Sequence, residues 1–261
     1  MAKLGLAVML LAAPQNALIH REERRSIRFL SLIGNEGSGH HSLTPAIHQI
    51  LGFSGGHDEH TGFSRHMPRR AFTEIGEDED SNEAAEVYMF NGDETGELFH
   101  AYRERKQRKF SAALGRFKQG SLIQQEYSFP TSHWRKPSTD FYDITGLYQM
   151  LHKGGVDKKV VIKYQRDLDS RAHSIFRRSG YFGGNFARAK FSESQFERLI
   201  ERHLHNLDHM RVPMIRVSMN ELNHTCPIFV QRVTQFLMNH EIMPRQQNRS
   251  HIVHKVCNGH R

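Results

Sequence analysis

The chain has 261 residues and a mass of 30.3 kDa, with a formal net charge of +8 and a pI near 9.6. A hydrophobic share of 38% with 17 Phe supplies a sizeable core, while a mean hydropathy of -0.62 leaves much of the rest in water, which suits one α/β domain with elaborations. The basic balance favours anionic partners, but no repeated basic–aromatic pattern singles out nucleic acid, and 19 His without H-E-x-x-H or C-x-x-C spell out no metal site.

The N-terminal run Leu4 to Ala13, preceded by Lys3, is too short to span a bilayer, which takes ~20 residues. It has the size of a signal-peptide h-region. Residues 1–25 are therefore expected to be a signal peptide and a charged linker, and residues 26–261 the folded domain. A signal of this kind sends a chain to the secretory pathway or Golgi lumen; without it the chain would be cytoplasmic. The sequons at Asn223 and Asn248 are compatible with a lumenal fate. Cys226 and Cys257 fit one disulfide or two free thiols equally well.

Ile27 to Ile33 is an apolar, β-branched run and predicts a buried strand. It stops at Gly34, passes through Glu36, Gly37, Ser38 and Gly39, and gives way to helical spacing from Ser42 to Leu51. A glycine-rich turn between a strand and a helix curls backbone N–H groups inward, and the helix start adds partial positive charge, so the segment predicts a seat for a phosphate or sulfate group. Gly34 and Gly39 keep the G-x-x-x-x-G frame of a P-loop, but His40, His41 and Ser42 stand where Lys and Ser/Thr are required for ATP.

Gly52 to Arg70 reads as a loop, and the acidic stretch Glu74 to Glu86 as a solvated loop, with clustered carboxylates for a metal as the alternative. Glu94 to Phe117 predicts one charged helix burying Leu98, Tyr102, Phe110, Leu114 and Phe117; its RERKQRK face is a wet surface or a means of steering an anionic substrate. Ser121 to Tyr127 is the second strand, followed by a loop holding His133, Trp134, Arg135 and Lys136. Asp140 to His152 is a helix, Lys158 to Tyr164 the third strand, Leu168 to Arg178 a helix, Ser192 to Met210 a long helix, Pro213 to Ser218 the fourth strand and Pro227 to Asn239 a helix with Ile228 on its buried side. Arg245 to Arg261 reads as a basic, irregular tail. Alternation of this kind predicts a three-layer α/β fold, P-loop NTPase-like, with a mainly parallel central sheet and helices on both faces. Ligands in such sheets bind at the carboxyl ends of strands, where both the glycine turn and Arg166 fall.

Three segments resemble the sulfotransferase family, as a divergent member: GNEGSGHHS (Gly34 to Ser42), VVIKYQRDLDSRAHSIFRR (Val160 to Arg178) and IRVSMNELNHTCPIFVQRVTQFL (Ile215 to Leu237). The resemblance implies transfer of a sulfuryl group from 3′-phosphoadenosine 5′-phosphosulfate (PAPS) to an acceptor hydroxyl, with carbohydrate as the acceptor class. It implies a 5′-phosphosulfate loop at Gly34, Glu36, Gly37, Ser38, Gly39, His40, His41 and Ser42, and a 3′-phosphate site at Arg166 and Ser174. The family's loop cation is missing: Gly37 occupies its place, with His40, His41, Arg135 and Lys136 as replacements. The base candidates are Glu126, His133, His40 and His41, with Glu126 preferred for its place at a strand end; Glu36 is an acceptor-side base or a turn residue. Nucleic acid is not an expected partner. A catalytically silent relative that binds a nucleotide or an anionic glycan is the first alternative. A P-loop kinase is the second, opposed by the missing Lys and by Arg166 where a Walker-B Asp would end the strand.

Overall fold

The computed structural model of the chain describes residues 27–35, 37–53, 69–71, 85–90, 94–129, 143–177, 184–244 and 249–258. In order these form β1 (Arg28–Asn35), α1 (His40–Ile50), β2 (Arg69–Ala71), β3 (Ala85–Met89), α2 (Gly96–Arg103), α3 (Gln107–Leu114), β4 (Leu122–Phe129), α4 (Ile144–Lys153), β5 (Lys158–Gln165), α5 (Leu168–Phe176), α6 (Phe186–His209), β6 (Met214–Ser218), α7 (Met219–His224), α8 (Cys226–Asn239) and α9 (Arg249–Asn258).

The sheet order is β2-β3-β4-β1-β5-β6. Five strands are parallel and β2 adds an antiparallel edge beside β3. β1 lies in the middle, and it is buried along nearly its whole length because helices cover both faces. Side chains alternate along a strand, so each strand feeds two cores. Leu30, Leu32, Val160 and Ile162 pack with Leu43 and Ile47 of α1, Phe229 and Val233 of α8, and Val256 of α9. Phe29, Ile33, Ile123 and Val161 pack on the other face with residues of α2, α3, α4 and α6, among them Phe110, Leu147 and Leu204. This is the expected three-layer α/β architecture. β1 is also where the chain changes direction across the sheet: β4 pairs on one side and β5 on the other, opening a crevice beyond the carboxyl ends of these strands.

Four expectations need correction. The acidic stretch ends in strand β3, whose Val87 pairs with Leu122 of β4; the signal was the β-prone run AEVYM, masked by the carboxylates before it. The single helix over Glu94 to Phe117 is two. α2 closes at Arg103, with Arg105 N–H bonded to the Tyr102 carbonyl, Lys106 N–H bonded to the Ala101 carbonyl and Arg105 itself left-handed (φ 55). That bond pattern is a helix stop that sequence spacing does not reveal, because Arg stands where Gly usually signals it. The tail is not irregular throughout. It contains α9, which seats Ile252 and Val256 against the core and is joined to α8 by a Cys226–Cys257 disulfide. Finally, Ile228 is 64% exposed, since its position one residue before Phe229 turns it off the buried stripe of α8.

Candidate functional site

The turn after β1 depends on backbone that only glycine adopts cheaply. Gly37 and Gly39 have φ of +76° and +96°. Between them Ser38 donates both its N–H and its hydroxyl to the Asn35 carbonyl, which closes the turn. Gly39 is the N-cap of α1, so His40, His41 and Ser42 occupy the first helical turn, with no side chain capping it. The imidazoles of His40 and His41 lie 3.9 Å apart, centroid to centroid, and His41 faces solvent. Gly34 is the penultimate residue of β1, where a Cβ would run into Ser38 and Tyr164. Glu36 and His133, together with Trp134, Arg135 and Lys136, lie outside the described residues.

α5 packs straight onto this turn. Its N-terminus is fixed by Asp167, whose carboxylate accepts from the Ser170 N–H at 2.7 Å; hydrogen bonds from Ser170 hold that carboxyl below its usual range. From this start Arg171 and Ser174, three residues apart, share one helix face. A Cβ at Gly37 would lie 2.9 Å from the Ser174 Cβ and 3.2 Å from the Arg171 carbonyl. Arg166, at the end of β5, donates from Nη1 to the Gly37 carbonyl at 2.8 Å. The sequence-predicted residues Gly37, Arg166 and Ser174 therefore meet at one place, although Gly37 and Arg166 are 129 positions apart.

Beneath them is a network that the sequence reading missed. Arg171 donates to the Arg166 carbonyl and sits 3.3 Å from Glu193 and 3.4 Å from Glu197 of α6. Glu193 also accepts from the Asn35 amide at 3.1 Å. Glu197 accepts from Lys163, a lysine that is 1% exposed and whose burial pulls its pKa down, opposed by the Glu197 charge. A buried ion pair costs desolvation, so it persists only where several hydrogen bonds compensate, as here. The effect is to fix the glycine turn, α5 and α6 as one unit. The available signal was on α6: Glu193 and Glu197 continue the stripe of Ile200, Leu204 and Leu207, and carboxylates on a buried stripe require partners.

Next to this unit a cavity of 540 Å³ opens at the carboxyl ends of β5 and β6. Its walls include Arg166, Asp167, Arg171, Ser218, Met219 and Asn220. Two residues join it to the turn. Arg166 reaches Gly37, and Met219 fills the space beside Gly39 that a Cβ would need. Gly39→Ala therefore combines a left-handed Cβ with a clash, and we expect it to cost about 2–4 kcal/mol. Urea denaturation measures this, and a loss below ~1 kcal/mol would mean that the turn adapts freely.

Glu126 is not brought to the cavity. It projects to the α1 side of the sheet, where Thr44 donates to its Oε1 at 2.7 Å, and the Tyr164 hydroxyl lies 2.9 Å from the same Thr44 oxygen. Burial raises the Glu126 pKa to about 7 against the opposing Thr44 hydrogen bond, and burial followed by the Glu126 charge pushes Tyr164 well up. Among the described residues no group of three or more His, Cys, Asp or Glu is placed to hold a metal. No helix among them is long and apolar enough to cross a membrane.

Comparison with models of known protein families finds no match, and comparison with curated proteins finds no relative.

Proposed function

We propose that the chain is a sulfotransferase that takes its sulfuryl group from 3′-phosphoadenosine 5′-phosphosulfate and passes it to an acceptor hydroxyl, with carbohydrate in the secretory pathway as the acceptor class. The observation that carries this reading is the convergence of Arg166, Ser174 and the Gly37 turn. A guanidinium and a hydroxyl that both reach the Gly37 turn suit a phosphate monoester, which is what separates this donor from ATP. Inward-curled N–H groups at the start of α1 suit the 5′-phosphosulfate. A P-loop kinase is disfavoured because Asp167, next to Arg166, is spent on capping α5, and no lysine follows Gly39. The Cys226–Cys257 bridge supports an oxidising compartment and hence the Golgi lumen over the cytoplasm.

A second reading, a catalytically silent relative that binds a nucleotide or anionic glycan, draws support from Gly37. With φ at +76° and Ser174 against it, this position is built for glycine, so the family's loop cation is excluded by the backbone as well as by the sequence. His40 and His41 at the helix start, or Arg166 beside Gly37, would then have to supply the charge.

Calorimetry with 3′,5′-adenosine bisphosphate against ATP tests the donor, and binding of ATP alone would reject it. Arg166→Ala is expected to weaken the bisphosphate about 10- to 100-fold and Ser174→Ala about fivefold, from the usual worth of charged and neutral hydrogen bonds. Both variants should bind adenosine 5′-phosphosulfate, which lacks the 3′-phosphate, as the native chain does. Equal losses for both ligands would remove the assigned roles. Labelled-sulfate transfer onto a panel of glycans separates the enzyme from the silent relative.

A further inference from the structure

The α2–α3 corner concentrates positive charge. Between residues 103 and 118 stand Arg103, Arg105, Lys106, Arg108, Lys109, Arg116 and Lys118, with Glu104 as the sole carboxylate of that segment. The first five of these cations and Glu104 are exposed. The turn after α2 folds α3 back, so that charges from both helices share one surface. Glu104 reports this: hydrogen bonding and charge from Lys106, then the more distant charges of Lys109 and His100, hold its carboxyl below the usual range. Carboxylates from outside the segment answer part of the charge, Glu97 on Arg116, Glu86 on Lys118 and Asp143 on Arg105 at 3.8 Å. Arg108 and Lys109 take part in no ion pair among the described residues. Exposed like charges on one surface repel one another, so the part of the cluster that these carboxylates leave unanswered, Arg108 and Lys109 above all, is stabilised by a multivalent anion that lies across it.

Its place in the fold is informative. Asp143 caps the start of α4, which follows β4, and both Arg105 and the Tyr102 hydroxyl reach Asp143. The basic corner thus sits on the carboxyl side of the sheet, the same side as the glycine turn and the cavity.

We infer that the α2–α3 corner is a docking surface for an acidic polysaccharide, one carrying sulfate or carboxylate groups along an extended chain. A polysaccharide is favoured over nucleic acid by two observations. The disulfide between Cys226 and Cys257 fits an oxidising compartment and is rare in the cytosol and nucleus, where most nucleic acid is found. The corner's aromatic rings, Phe99, Tyr102 and Phe110, are buried or half-buried in the α2–α3 core and present no stacking platform to a base. The inference rests on charge and placement and does not depend on the donor assigned above.

The test is calorimetry of the full chain with a size-defined heparin oligosaccharide between 50 and 200 mM NaCl. Affinity should fall steeply with salt, as it does when several cations displace counterions from a polyanion. The double variant Arg108→Glu/Lys109→Glu should weaken binding at least tenfold and flatten the salt dependence. Lys153→Glu/Lys255→Glu, which changes net charge by the same amount at exposed sites on α4 and α9, should leave it within about twofold. Equal losses in the two double variants would reduce the effect to net charge and overturn the assignment. So would tighter binding of a single-stranded oligonucleotide of matched charge, which would make the corner a nucleic-acid surface. Circular dichroism of each variant separates lost binding from lost folding.

Discussion

Removing the disulfide, as Cys226→Ser/Cys257→Ser, is expected to destabilise the domain by about 3–4 kcal/mol, the chain-entropy value for a loop of this length. The bridge spans 31 residues and joins the N-terminus of α8 to the last turn of α9. α9 has a small contact area for a helix of ten residues: Ile252 and Val256 are its buried apolar side chains, with Val253 and Cys257 partly buried beside them. Burying two aliphatic side chains contributes a few kcal/mol, well below the roughly 10–20 kcal/mol of conformational entropy that ordering ten residues costs, so the cross-link is what keeps α9 docked. α9 rests on α1 as well as on α8, and α1 begins at the glycine turn. Loss of the bridge should therefore lower the melting temperature by roughly 10 °C and reduce bisphosphate affinity as α1 loses its backing. Thermal unfolding with and without reductant is the measurement. A melting temperature indifferent to both reductant and the double substitution would show that α9 is held by packing alone.

Much of the fold was legible because the central strands are buried on both faces. Ile27 to Ile33 and Lys158 to Tyr164 stand out as apolar runs between helical patterns, Pro213 to Ser218 is the half-exposed edge strand that follows them, and that alternation carries the parallel topology. What escaped was governed by tertiary contacts. β3 is recognisable only beside β4, since five residues next to an acidic run have little signal of their own. α9 has few apolar residues and needs its disulfide, which the two cysteines alone left open. The break between α2 and α3 hides behind an arginine in a left-handed turn.

The candidate site divides in the same way. Gly37 and Arg166 could be singled out in advance because each is tied to local backbone, a glycine turn and a strand end, whereas Ser174 entered only through the resemblance to the sulfotransferase family. The residues that hold them could not be singled out. Arg171, Glu193, Glu197 and Lys163 come from three elements and are joined by contacts up to 34 positions apart, so no local spacing announces them. Glu126 shows the converse. It was expected near a strand end, but β4 runs on to Phe129, and strand alternation turns Glu126 to the α1 side, to Thr44, rather than to the cavity.

That placement makes Glu126 the source of a pH-dependent stability of definite sign. Its carboxyl titrates at about 7 in the folded chain, whereas an unfolded glutamate titrates near 4.5. Between these values the folded state binds the proton and the unfolded state does not, so stability falls as pH rises through the window from about 4.5 to 7 and is constant in this respect on either side. A carboxyl held at about 7 rather than 4.5 corresponds to roughly 3 kcal/mol of stability. The neighbours agree with a neutral carboxyl: Thr44 and Tyr164 are uncharged hydroxyls, and no cation among the described residues is bonded to Glu126. Glu126→Gln keeps an acceptor for Thr44 and removes the ionisation. It should be more stable than the native chain by up to ~3 kcal/mol at pH 8, with the difference vanishing near pH 4. Urea denaturation of both proteins at pH 4, 6 and 8 decides it. Parallel pH profiles would mean that Glu126 is solvated and ionised throughout, and a variant less stable at pH 8 would mean that its charge is compensated by a cation from outside the described residues.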